Sequence, residues 1–130
     1  MNADVFLDKA DAVATAAAVK SGKITATAAV SAALERIGVA DRAFNCFTNV
    51  TVDRALADAE KIDHAIANNE NPGPLAGVPF AVKNLFDIGG ITTLAGSKIN
   101  ADNPPATRDA GGGSATQTSG CGARRYSQHG

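Results

Sequence analysis

A chain of 130 residues with 45% hydrophobic and 19% charged residues has the balance of a folded domain, and its length suits one small domain. Its formal net charge of -1 gives no basis for expecting nucleic acid or an anionic membrane as partner, and it has neither an apolar run that could span a bilayer nor a signal-peptide pattern. Two cysteines, Cys46 and Cys121, make neither a disulfide framework nor a metal site, so free thiols in a reducing cytoplasm, with no metal and no cofactor, are expected.

Residues 4–20 read as a first helix, with Phe6, Ala10, Val13, Ala14 and Ala17 on one face and Ser21-Gly22 as its stop. A second helix is expected over Ala26–Ile37. Thr25 is its N-cap, Val30, Ala33, Leu34 and Ile37 its stripe, and Gly38 its end. Asp41-Arg42 reads as a turn and Phe44–Val50 as a short strand. Thr51 then caps a third helix to Asn68, with Val52, Leu56, Ala59, Ile62 and Ile66 as its stripe and Asp53 complementing the dipole of its first turn. His64 sits among polar neighbours and reads as a solvated histidine, while Cys46 reads as a small core residue. Residues 1–73 thus form a helical arm. On its own, that arm also fits a non-catalytic helical interaction module.

Asn69–Pro74 is a loop by its Pro, Gly and Asn content. Val78–Val82 follows as a continuous apolar run bounded by Gly and Pro, which reads as a buried interior strand with Pro79 near its start. Lys83 falls at the carboxyl end of that strand, where open α/β sheets collect their chemistry. Partial desolvation there would disfavour the charged amine and make Lys83 a proton acceptor. The same position also suits a lysine whose stem packs on the sheet rim with its head in water.

The stretch Pro74–Asn84 resembles the amidase signature family, in which a Gly-hydrophobic-Pro-hydrophobic-Ala-hydrophobic-Lys strand carries the lysine of a Ser–cisSer–Lys triad. The likeness continues through Leu85–Ile88, Gly90–Thr93, Gly96-Ser97, Pro104-Pro105 and Asp109-Ala110. By the runs Val82–Asp87 and Leu94–Asn100 it is most similar to the carboxybiuret hydrolases, although Asn84 stands where many relatives carry Asp. The resemblance implies an α/β fold, incomplete here: a helical arm (1–73), then the start of a mixed-sheet core (74–110). It implies hydrolysis of a C–N amide bond in a small urea-like or carboxybiuret-like substrate. It assigns Lys83 as catalytic and makes Thr93 and Ser97 candidates for substrate contacts, although capping or turn roles also suit both. A small accessory subunit or a homo-oligomer is the implied partner. A rival within the family is the A-type amidotransferase component that transamidates misacylated tRNA.

Residues 111–130 change character. Gly111–Gly120 has no periodicity, which reads as a disordered tail. Ser114 and Ser119 lie in this stretch, and neither matches the family's serines. Read from the second nucleotide of its codons, the stretch permits an amphipathic helix followed by a strand, like the segment the family places after Asp-Ala. Gln117-Thr118 must then give Lys or Arg, Gln128-His129 Asn or Ser, and His129-Gly130 Met or Thr, and all three agree with the family. A frame change near the codon of Ala110 is therefore expected, leaving Cys121, Arg124, Arg125, Tyr126 and His129 without an evolved role. Without the serines, the chain is expected to be inactive by itself, with an unpaired edge beside Val78–Val82 and a loosely packed helical arm.

Overall fold

The computed structural model describes residues 6–111 and 120–122. The helices α1 (Ala12–Lys20), α2 (Ala26–Phe44) and α3 (Val52–Ala67) precede a short strand β1 (Phe80–Val82). A single 3-10 turn at Lys98–Asn100 and a strand β2 (Gly120–Gly122) follow. The strands pair in parallel, Phe80 opposite Gly120, Ala81 opposite Cys121 and Val82 opposite Gly122. Helices joined to a parallel pair make this the expected α/β arrangement in partial form. No helix among the described residues is long and apolar enough to cross a membrane.

Helices α1 and α2 each begin on a side-chain oxygen that accepts an otherwise orphaned N–H, whereas Thr51 stands at the start of α3 without making the side-chain cap bond expected of it. Asp11 caps α1 by accepting from the Ala14 N–H at 2.7 Å, and Thr25 caps α2 by accepting from Ala28 at 3.0 Å. A second carboxylate reaches the same end of α2 from α3. Asp63 accepts from the Ala26 N–H at 2.7 Å, the Thr27 N–H at 3.0 Å and the Thr27 hydroxyl at 2.7 Å. A negative charge there meets the positive end of the helix dipole and bolts α3 onto α2. Asp63→Ala is expected to cost about 1–3 kcal/mol, as loss of a cap and of charge-assisted hydrogen bonds. Urea unfolding measures it, and an unmoved midpoint would show that this carboxylate holds nothing together.

The core lies where the helices meet the loop before β1. Ala18, Val19, Ile24, Ala26, Ala29, Val30, Ala55, Ala59, Ile62 and Ala76 are buried together, with Leu34, Leu56 and Ile66 packed against them. Alanines on facing helices let the backbones approach closely, but they bury little apolar area per residue, so the packing is tight and the hydrophobic gain modest. Large apolar side chains remain outside this core: Val39, Phe44, Leu85, Phe86 and Ile99 are all exposed.

Several expectations need correction. The first expected helix is broken: Phe6 and Leu7 are helical, a turn follows at 8–9, and α1 starts afresh at Ala12, where Asp11 takes an extended conformation to cap it. Its buried face is Thr15, Ala16, Ala18 and Val19, while Val13 is exposed; a segment of Ala and Val has no polar side to mark the solvent face. Gly38 does not end α2, nor do Asp41 and Arg42 form a turn. A helical glycine costs only about 1 kcal/mol, and the stop comes at Asn45, which adopts the left-handed conformation (φ 49). No strand forms over 45–50, because the Asp41 carboxylate takes the N–H groups of Cys46 and Phe47. Cys46 is half-buried rather than a core residue. It lines a cavity of about 340 Å³ between α2 and β1, with Ile37, Phe44, Phe47 and Phe80.

The interior strand over Val78–Val82 is in fact three residues long and only half-buried, with Ala81 exposed. The Val78 N–H closes the preceding turn on the Leu75 carbonyl, and Val78 and Pro79 lie outside the ladder. One of its edges is not open, since β2 pairs with it. Gly120–Gly122 thus depart from the irregular tail expected over 111–130: a parallel ladder needs only backbone groups, which glycine supplies. The rest of that stretch, including Ser114 and Ser119, lies outside the described residues, apart from Gly111.

Candidate active site

Lys83 directly follows the last ladder residue of β1. A tight turn comes next, in which the Lys83 carbonyl accepts from the Leu85 N–H at 2.7 Å and the Phe86 N–H at 3.2 Å. The strand and this turn fix the lysine backbone from both sides. The side chain is exposed, and among the described residues its ammonium has no hydrogen-bond or ion-pair partner. The expected partial desolvation of Lys83 is therefore absent: β1 is too short and too thinly covered to bury its end.

Asn84 connects this turn to the loop that carries the other two candidates. Its side-chain oxygen accepts from the Leu94 N–H at 2.9 Å, its amide donates to the Thr48 hydroxyl at 3.3 Å, and its carbonyl accepts from the Ala95 N–H at 2.9 Å. Residues 93–97 are thus held beside the residue that follows Lys83. Within the loop, the Thr93 hydroxyl donates to Asp87 at 2.5 Å. The Ser97 hydroxyl accepts from the Ile99 N–H at 3.3 Å and caps the 3-10 turn. Both hydroxyls thus serve the turn and capping roles noted from the sequence, with Ala95 (φ 47) and Gly96 (φ 74) reversing the chain between them.

A second clamp braces the far side. Asp109 accepts from the Gly89 N–H at 2.8 Å and forms a two-pronged pair with the Arg54 guanidinium of α3. The Ala110 N–H also donates to the Asp87 carbonyl at 2.8 Å. The bonds from Arg54 and then Gly89 hold the Asp109 carboxyl at about 2, below its ordinary 3.8, and the same pairing pushes the Arg54 guanidinium up. The carboxylate's contribution to stability is therefore fully present above about pH 4 and is lost as pH falls through about 2. Partial exposure limits it to about 1 kcal/mol. Arg54→Met is expected to flatten this acid limb, and an acid unfolding curve identical to that of the unsubstituted protein would refute the pairing.

The sequence pointed to Lys83, Thr93 and Ser97 but missed Asp63 and Arg54. It noted Asn84 and Asp109 without their roles. Asn84 and Thr48 are far apart in sequence, as are Arg54 and Asp109, so no local spacing links either pair. His64 is exposed, as expected. Among the described residues, no group of three or more His, Cys, Asp and Glu side chains is placed to hold a metal ion.

Residues 28–111, which contain the lysine strand and both clamps, match the family model described as Amidase. The chain belongs to the amidase signature family. Across 92 residues, 71% of the chain, it is 53% identical to the AtzE component of 1-carboxybiuret hydrolase from Pseudomonas sp. (strain ADP). Across 96 residues, 74% of the chain, it is 41% identical to the A-type component of glutamyl-tRNA(Gln) amidotransferase from Streptomyces avermitilis. These matches cover 20% and 19% of the two relatives, so the chain spans about a fifth of the length of the curated family members it matches. Among solved structures it superposes, with a TM-score of 0.84 and 44% identity, on one described as a vestigial protein complex that reveals the evolutionary origins of an s-triazine catabolic enzyme. That match covers 88% of this chain and 26% of the other.

Proposed function

We propose that this chain is the lysine-bearing part of an amidase signature hydrolase that cleaves a C–N bond of a small urea-like or carboxybiuret-like amide. The observation that carries the reading is the position of Lys83, at the end of β1 inside the matched family region. In the resembled mechanism a serine hydroxyl attacks the amide carbonyl, and a second serine passes its proton to the neutral lysine amine. Backbone N–H groups stabilise the oxyanion, and the C–N bond breaks as the leaving nitrogen takes up a proton. Lys83 is the proton acceptor in this scheme, and because it is exposed in this chain, the remainder of the enzyme must cover the end of β1 to favour its neutral amine. No other residue of the chain matches a triad member, so the 130-residue polypeptide is inactive by itself. The greater likeness to the carboxybiuret hydrolase component favours a urea-like substrate over transamidation of misacylated tRNA. A small accessory subunit is consistent with the complex that the superposed structure describes.

The test is a graft in which residues 28–111 replace the matching stretch of the carboxybiuret hydrolase component. The graft is expected to hydrolyse carboxybiuret, and the 130-residue chain alone is expected not to. A folded graft without activity, or turnover by the isolated chain, would overturn the reading.

A further inference from the structure

We propose that Asn84 is the positioning residue for Lys83, and that its side-chain amide locks the substrate-side loop 93–97 to the lysine turn. The proposal rests on the reading of Lys83 as proton acceptor. Three segments converge on Asn84: the connection after α2, through Thr48; the end of β1; and the loop at Leu94 and Ala95. Lys83 shares a peptide bond with this junction. Because Lys83 itself is exposed, its main-chain anchoring is what limits where its amine can reach.

The orientation of the Asn84 amide follows from its partners. The Leu94 N–H can only donate, so the side-chain oxygen must face it and the NH2 group must face Thr48. A carboxylate at this position would keep the acceptor for Leu94 and lose the donor. Asn84→Asp therefore preserves the link to the loop at Leu94, whereas Asn84→Ala removes both side-chain links.

Hydrogen exchange on the 130-residue chain reads the junction directly. In Asn84→Ala the Leu94 amide, which loses its side-chain acceptor, is expected to exchange about tenfold faster, as expected for loss of a hydrogen bond of ordinary strength, while Ala59 and Ile62 in α3 stay protected. In the graft, Asn84→Ala is expected to lower kcat about 10²-fold with a much smaller change in KM, the size expected of a misplaced catalytic group. Asn84→Asp is expected to recover most of that loss. Unchanged exchange at Leu94 would overturn the proposal, as would full kcat in an Asn84→Ala graft whose Lys83→Ala counterpart is dead. An active Lys83→Ala graft would instead defeat the amidase reading, with the exchange measurement still deciding the junction.

Discussion

In the grafted enzyme, Lys83→Ala is expected to lower kcat by about 10²–10⁴-fold, the usual contribution of a positioned general base. The loss should fall on kcat more than on KM, because the amine acts on a proton in flight rather than on the resting substrate. Lys83→Arg should be nearly as inactive, since a guanidinium stays charged and cannot take up a proton. Neither change should disturb folding, because the Lys83 side chain is exposed. Steady-state kinetics beside a thermal melt separate the two effects. Near-normal turnover by Lys83→Ala with an unchanged melt would remove this residue from the chemistry.

Gly77→Ala is expected to be the most damaging single substitution to the fold. Gly77 has φ 71, and a Cβ there would lie 2.8 Å from Val19 Cγ2 and 3.0 Å from both Val19 Cγ1 and Ala26 Cβ. Real Cβ atoms essentially never sit as close as 2.8 Å, and both neighbours are buried, on α1 and α2. The left-handed backbone costs an alanine about 1–2 kcal/mol, and overpacking adds about 1–3 kcal/mol. That total is a large part of the stability of any small domain. Gly73→Ala is the control: its φ is 91, yet a Cβ there would meet nothing within 4 Å, so only the backbone cost should appear. Equal urea midpoints for the two variants would show that the close approach at Gly77 does not matter. If the approach does matter, it sets where β1 leaves the helical arm, and so where Lys83 stands.

Much of this molecule was legible in its residues. Thr25 as a cap, the α3 stripe through Ala59 and Ile62, the loop before the strand, and Lys83 just beyond an apolar run all follow from local rules. Capping, helical periodicity and the strand-bounding turns act over a few residues, so the sequence determines them by itself. The Gly-Val-Pro-Phe-Ala-Val-Lys run also carried the family, because its residue types repeat a pattern tied to a mechanism.

What local rules could not decide was left to tertiary structure. The buried face of α1 was chosen by packing, since a run of Ala and Val has no polar side to turn outward. The end of α2 was set by Asn45 and by where Asp41 sends its carboxylate, not by Gly38. The half-buried state of β1 depends on how much of the molecule lies over it, which no five-residue run can state. The links from Asp63 to α2, Arg54 to Asp109 and Asn84 to Thr48 join residues far apart in the chain, and only folding brings such partners within hydrogen-bonding reach. The sequence by itself determined that Lys83 follows directly on an apolar strand within the family pattern. The tertiary structure decided what holds it in place, because positioning depends on contacts between segments that no local pattern encodes.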